Sequence, residues 1–189
     1  ASSGFVNGIL RNISRGKNNI VYLDKNKNLA EYLSVKYSFQ EWMVKRWLYV
    51  YGESFTENIL KNSNENPDFS ISVNTLKISV EAFQQRLQEK GIESYRSKYI
   101  DNGLILKNPV GITDSELFRN GYFQVQDQAS MLVSRVLDPK PGELVMDVCS
   151  APGGKTANIV QLMENQGVVV ARDIHPHKIN LIRNTTDRL

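Results

Sequence analysis

The last fifty residues of the chain constrain its fold most. The stretch "ELVMDVCS" (143–150) is a near-continuous apolar run, the pattern of a strand buried on both sheet faces. "APGGKT" (151–156) is a turn, and "KTANIVQLMEN" (155–165) reads as a helix with Ala157, Ile159, Val160, Leu162 and Met163 inward. "GVVVARDI" (167–174) reads as a second buried strand that ends at Asp173, and "HPHKINLIRNTTDRL" begins another helix. The order is strand, glycine turn, helix, strand, acid, helix. That order opens a doubly wound, nucleotide-binding sheet.

The turn has specific physics. Gly153 and Gly154 permit backbone conformations closed to other residues and let a ligand come near the main chain. The helix behind them presents unsatisfied N–H groups and the positive end of its dipole. Asp173, at the carboxyl end of the second strand, stands where an acid accepts hydrogen bonds from ribose hydroxyls. An adenosine-containing ligand follows. A phosphate-binding loop needs G-x-x-x-x-G-K-[ST], but counting back from Gly154 puts Cys149 where the first glycine belongs. The dinucleotide pattern G-x-G-x-x-G is absent as well. A nucleoside without a phosphate chain, such as S-adenosylmethionine, therefore fits better; a glycine turn of purely architectural role is the alternative.

Ahead of this region the pattern is mixed. Residues 4–15 place Phe5, Ile9 and Ile13 at helical spacing. Residues 16–28, rich in Asn, Lys and Gly, read as a connector. In "SFQEWMVKRWLYVYG", Ser38 and Glu41 are spaced as a capping box and Gly52 is placed to end the helix. Its Trp42 and Trp47 invite a base-stacking reading, but core packing is the reading favoured here. "DFSISVN" alternates Phe69, Ile71 and Val73 with Ser70, Ser72 and Asn74, as a half-buried strand does. A helix follows over 79–90, then strands near 94–99 and 104–107 around an Asp-Asn-Gly turn. This β-α-β-β order over 66–110 suits a ferredoxin-like or RNA-recognition-type layer. Tyr95 and Tyr99 on it are read as packed within the hairpin. A Phe/Val strand over 122–126 and a helix capped by Asp127, carrying Ala129, Leu132, Val133, Val136 and Leu137, complete the chain up to Leu144.

Composition narrows the class. No apolar run approaches membrane-spanning length, and the N-terminus lacks a signal-peptide pattern. A single cysteine makes neither an internal disulfide nor a zinc site, which points to a reducing, cytoplasmic setting. Net charge is +3, but the first 50 residues hold eight basic residues against three acids, a balance compatible with RNA. His175 and His177 have no third ligand nearby in sequence and read as the solvent-facing start of a helix. Lys155 is placed to pair with Asp147 or to close over a cofactor carboxylate, with plain solvation at the helix start as the equal alternative. The chain begins with Ala1, not Met, which implies a boundary inside a longer protein.

"DVCSAPGGKT" (147–156) resembles motif I of the Sun/nucleolar-protein family of RNA cytosine-5 methyltransferases. "FVNGILR", "GYFQVQDQAS" and "VVARDI" resemble further segments of that family, in the family's order. The resemblance implies an α/β fold with a helical N-terminal segment, a small RNA-recognition-like subdomain and the first β-α-β part of a Rossmann-like methyltransferase sheet. Residues 1–16 would be the last helix of a NusB-like RNA-binding domain, 17–112 linker helices and the small subdomain, and 113–189 the start of the methyltransferase domain. Cys149, Ser150, Ala151, Pro152, Gly153, Gly154 and Lys155 match the family's cofactor loop, and Asp173 its ribose-binding acid. Gln126 and Asp127 match a segment beside the methionine end of S-adenosyl-L-methionine. The implied substrate is RNA, specifically small-subunit ribosomal RNA.

In that family a cysteine attacks C6 of cytosine, which makes C5 nucleophilic, and a second cysteine assists release. The resemblance places both downstream of Leu189, so no catalytic residue is expected within the chain. Cys149 matches the cofactor loop and not the nucleophile. The chain alone is expected to be inactive. With two strands of a parallel sheet, it is also expected either to self-associate through an exposed sheet edge or to have a poorly ordered C-terminal end.

Overall fold

The computed structural model describes residues 2–17 and 23–189. They form two compact units, 1–67 and 68–189. The connector expected over 16–28 lies partly outside the described residues. No described helix is long and apolar enough to cross a membrane.

The first unit is helical. Helix α1, Ser2–Gly16, buries none of its residues, and its apolar stripe of Phe5, Ile9 and Ile13 is exposed. Helices α2, Leu29–Tyr37, and α3, Glu41–Ser63, pack as a hairpin around Leu33, Val44 and Leu60. Ser38 is not the N-cap expected from its spacing to Glu41. It adopts a left-handed conformation (φ 60°, ψ 42°) as the C-cap of α2, and Gln40 precedes α3. Asn28 caps the start of α2 through its side chain to the Glu31 N–H, a helix the sequence pattern did not reveal. Gly52, at φ 77° and ψ 175°, is non-helical and ends the first helical stretch of α3 at a kink, as its placement in the sequence leads one to expect; a second helical stretch follows directly. The aromatic set divides. Trp47 packs on Phe39 with ring centroids 5.7 Å apart, whereas Trp42 and Tyr49 are exposed.

The second unit opens with strand β1, Phe69–Val73, helix α4, Val80–Glu89, and strands β2, Ser94–Arg96, and β3, Gly103–Leu106. A short helix α5, Glu116–Arg119, and strand β4, Phe123–Val125, follow. The sheet is antiparallel in the order β2-β3-β1-β4. This is the complete β-α-β-β-α-β ferredoxin-like pattern. The sequence pattern grouped β4 with the C-terminal region; its pairing of Val73 with Phe123 and Ile71 with Val125 puts it in the small sheet. Tyr95 and Tyr99 are exposed rather than packed in the hairpin, and Lys107 lies over the Tyr95 ring.

One face of this sheet is apolar. Ile71, Val73, Leu104, Leu106 and Phe123 pack with Val80, Phe83 and Leu87 of α4 and Leu117 of α5. The other face carries Ser70, Ser72, Asn74 and Gln124, and these are buried too, contrary to the half-buried reading. Helix α6, Gln128–Leu137, capped by Asp127, and helix α7, Gly154–Leu162, cover that side. On α6 the buried residues are Met131 and Ser134, while the apolar Leu132, Val133, Val136 and Leu137 face outward.

Strands β5, Leu144–Asp147, and β6, Val168–Ala171, pair in parallel on either side of α7, with Asp147 opposite Ala171. Helix α8, Ile179–Arg188, follows a 3₁₀ turn at Pro176–Lys178 and packs against α7. Leu144, Met146, Val148 and Val168 are exposed, so β5 is not covered on both faces by the described residues.

Candidate functional site

The glycine turn joins β5 to α7 and is closed from the side by the end of β6. Past the paired strands the two chains stay bonded: Arg172 N–H donates to the Asp147 carbonyl (2.8 Å) and Ser150 N–H to the Arg172 carbonyl (2.9 Å). The buried Ser150 hydroxyl lies 2.6 Å from the Asp147 carbonyl and 2.9 Å from that of Arg172. Its side chain therefore staples the two strand ends and shapes the loop. The Ala151–Pro152 peptide bond is cis.

Gly153 takes φ 108°, a conformation that favours glycine, and its N–H donates to the Ser150 carbonyl at 2.6 Å. A Cβ there would lie 3.1 Å from Thr185 of α8, whose hydroxyl donates to the Pro152 carbonyl. Gly154 begins α7, so first-turn N–H groups of the helix point back into the loop. A Cβ on Gly154 would meet the Gln126 side-chain amide at 3.4 Å.

The two acids divide their work. Asp147 Oδ2 accepts from the Thr156 hydroxyl (2.7 Å) and Oδ1 from Cys149 N–H (3.2 Å). Asp147 takes this Thr156 bond and not a pairing with Lys155, which is exposed, in line with the alternative of plain solvation at the helix start. A hydroxyl one position further into the first turn reaches the strand end. Asp173 Oδ2 accepts from Ala151 N–H (3.3 Å) and Oδ1 from His175 N–H (3.1 Å). These place the carboxylate beside the loop.

The His175 N–H, then the Ala151 N–H and the charges of Lys178 and His175, hold the Asp173 carboxyl below its ordinary range against some desolvation. A depressed pKa in the folded state means a stabilising contribution that is present above the unfolded value of about 3.9 and is lost as pH falls through the folded one. Side-chain carbon NMR titration is expected to place the Asp173 midpoint below about 3.9; a midpoint at or above that value contradicts the loop geometry.

The structure thus brings Cys149–Lys155 and Asp173 around one turn. Cys149 is a free, exposed thiol. His175 and His177 are exposed, with ring centroids 5.5 Å apart. Sequence reasoning missed Thr156, Gln124 and Asn158. Asn158 carries the one available signal, an amide within an otherwise apolar helix stretch.

Two family models match the chain. One, described as "Methyltr_RsmF/B-like, ferredoxin-like domain", covers residues 39–113, and the other, "16S rRNA methyltransferase RsmB/F", covers 134–189. The chain belongs to the RsmB/F methyltransferase family. Among its relatives, the "Probable ribosomal RNA small subunit methyltransferase B" of Bacillus subtilis is 37% identical over 188 residues, 99% of this chain and 41% of that protein. A methyltransferase homolog protein from Pyrococcus horikoshii has a solved structure 32% identical to the chain, with a TM-score of 0.78 over 86% of this chain and 53% of that one. NSun6 from Pyrococcus horikoshii, solved with SFG, is 21% identical with a TM-score of 0.68, over 77% of this chain and 61% of that one. The chain spans about two fifths of the length of the curated relatives it matches. Within this RsmB/F chain, both the ferredoxin-like sheet and the glycine turn lie in matched regions or directly beside them.

Proposed function

We propose that this RsmB/F chain supplies the S-adenosylmethionine-binding loop of an RNA cytosine-C5 methyltransferase that acts on small-subunit ribosomal RNA. The observation that carries the reading is the closure of the Cys149–Lys155 loop by Asp173 through Ala151 N–H. The residues fit the cofactor. A carboxylate has about four acceptor positions, and Asp173, half-buried with two N–H partners, keeps capacity for sugar hydroxyls. Cys149, Ser150, Ala151 and Pro152 would line the adenosine with backbone, and Gly153, Gly154 and Lys155 would bring the start of α7 toward the methionine end. S-adenosylmethionine supplies an activated methyl group on sulfur. The chain's own residues bind and orient it: Asp173 by the ribose, the loop by close backbone approach, and Thr156 by holding Asp147 and hence the loop's first residue.

The attacking cysteine and its assisting partner are assigned to the rest of the protein, because Cys149 is the single cysteine here and it lies in the cofactor loop. The NusB-like assignment of 1–16 and the linker and small subdomain from 17 onward belong to the same reading, with the small subdomain extended past 112 through β4 and the methyltransferase part beginning after it rather than at 113.

Titration calorimetry with S-adenosylhomocysteine on the intact protein tests the site. Binding is expected, and Asp173→Ala is expected to weaken it about 10–100-fold, the loss of a charged hydrogen-bond acceptor. An Asp173→Ala variant that binds as the parent does would sink the ribose assignment. Methyl transfer to small-subunit ribosomal RNA, mapped by mass spectrometry of the nucleosides, tests the reaction: 5-methylcytidine supports it and any other methylated base overturns it.

The outward Leu144, Met146, Val148 and Val168 support a further part of the reading. The isolated 189-residue chain is expected either to self-associate through the exposed edge of this sheet or to have a poorly ordered C-terminal end, and light scattering that finds a stable, well-ordered monomer rejects it.

A further inference from the structure

A sheet of the RNA-recognition type normally offers its open face to bases. Here that face is closed. Ser72, Gln124 and Asn158 are each at most 5% exposed and form one buried polar cluster between the small sheet and α7. Asn158 is its centre. Its Oδ1 accepts from the Ser72 hydroxyl of β1 (3.0 Å) and from Gln124 Nε2 of β4 (2.8 Å), and its Nδ2 donates to Gln126 Oε1 (2.7 Å). Gln124 Nε2 also lies 3.1 Å from the carbonyl of Gly154, the first residue of α7. Asn102 extends the cluster by donating to Ser72 (3.0 Å).

Apolar side chains of similar size would bury this interface at less cost, since each amide gives up water for its partners. What the amides add is direction: a satisfied buried network accepts one arrangement, whereas apolar contacts tolerate sliding. The arrangement they fix is that of the first turn of α7. That turn carries Gly154 and Lys155, and its Thr156 holds Asp147 at 2.7 Å. A shift of α7 along the sheet would move both ends of the loop.

We propose that Asn158 and Gln124 are positioning residues which lock the start of α7 to the ferredoxin-like sheet, so that this sheet is a working part of the cofactor site. The proposal rests on the cofactor reading above for its ligand, but its structural core is separately measurable. Two quantities are read in the intact protein: affinity for S-adenosylhomocysteine, and ligand-free amide hydrogen exchange of residues 157–160, the first N–H groups bonded within α7. Val73→Ala is the control, because Val73 sits on the same strand β1 but faces the opposite, apolar side.

Asn158→Ala is expected to weaken ligand binding at least tenfold and to speed exchange at 157–160 by a similar factor. Val73→Ala, compared at matched loss of thermal stability, is expected to leave both unchanged. Gln124→Met, which keeps length and removes the amide, provides the same reading should Asn158→Ala not fold. Unchanged exchange and affinity in Asn158→Ala or Gln124→Met would overturn the proposal, and so would equal effects in Val73→Ala. If the parent protein binds no S-adenosylhomocysteine, the cofactor reading fails, and the exchange measurement still decides the role of Asn158.

Discussion

Phe83→Ala is expected to cost about 3–5 kcal/mol, read as a fall in the urea midpoint with the slope unchanged. Phe83 lies on α4, is fully buried and packs its ring 5.5 Å from that of Phe123 on β4. It belongs to the apolar cluster that also holds Val73, Leu104 and Phe123, so its removal leaves a hole in that cluster. The strands under the helix are tied to one another by their backbone ladders and collapse into that hole only in part. Against a usual total of about 5–15 kcal/mol the loss takes a large share of the margin. A cost under about 1 kcal/mol would mean that α4 is not anchored there.

The glycine turn was legible because its chemistry is local. Two glycines, a proline and an acid at the end of the next apolar run determine backbone shape over a few residues, and Asp173 lies beside Ala151 in keeping with that pattern. The apolar face of β1 was legible for the same reason, since a period of two separates Ile71 and Val73 from Ser70 and Ser72. Periodicity separates two faces but does not say what covers each. The Ser72 face is buried because Asn158, 86 positions away in the chain, supplies a partner. The apolar β5, in turn, shows Leu144 and Met146 to solvent.

Two further differences have the same origin. β4 is only three residues long, so its allegiance is decided by pairing with β1 and not by its own pattern. Helix α6 turns Ser134 inward beside Met131 because α7 approaches closely there, near enough for the Ser134 hydroxyl to reach the Lys155 carbonyl at 3.4 Å. A hydrophobic count alone selects the opposite face. Ser38 met the spacing rule of an N-cap, but the preceding nine residues form a helix of their own and claimed it as a C-cap.

Gly167→Ala is expected to cost roughly 2–6 kcal/mol, the sum of backbone strain and overpacking, and to abolish cofactor binding with it. Gly167 sits at φ 119° just before β6, and a Cβ there would lie 2.5 Å from the Glu143 carbonyl oxygen and 2.5 Å from Met163 Cε. The carbonyl is not free to move, because it accepts the Val168 N–H at 3.0 Å, the bond that starts the β5–β6 pairing. Relief of the clash therefore breaks the first rung of a two-stranded ladder and displaces β6. Asp173 follows on that strand, so the carboxylate leaves Ala151 and the loop loses its lateral closure. Gly142→Ala separates strain from clash: Gly142 has φ 89° but open space around its Cβ position, so its cost is limited to about 1–3 kcal/mol and the Asp173 closure survives. Thermal unfolding with S-adenosylhomocysteine titration on both variants decides the matter. Equal losses in the two would show that left-handed strain, and not contact with β5, makes glycine necessary at 167.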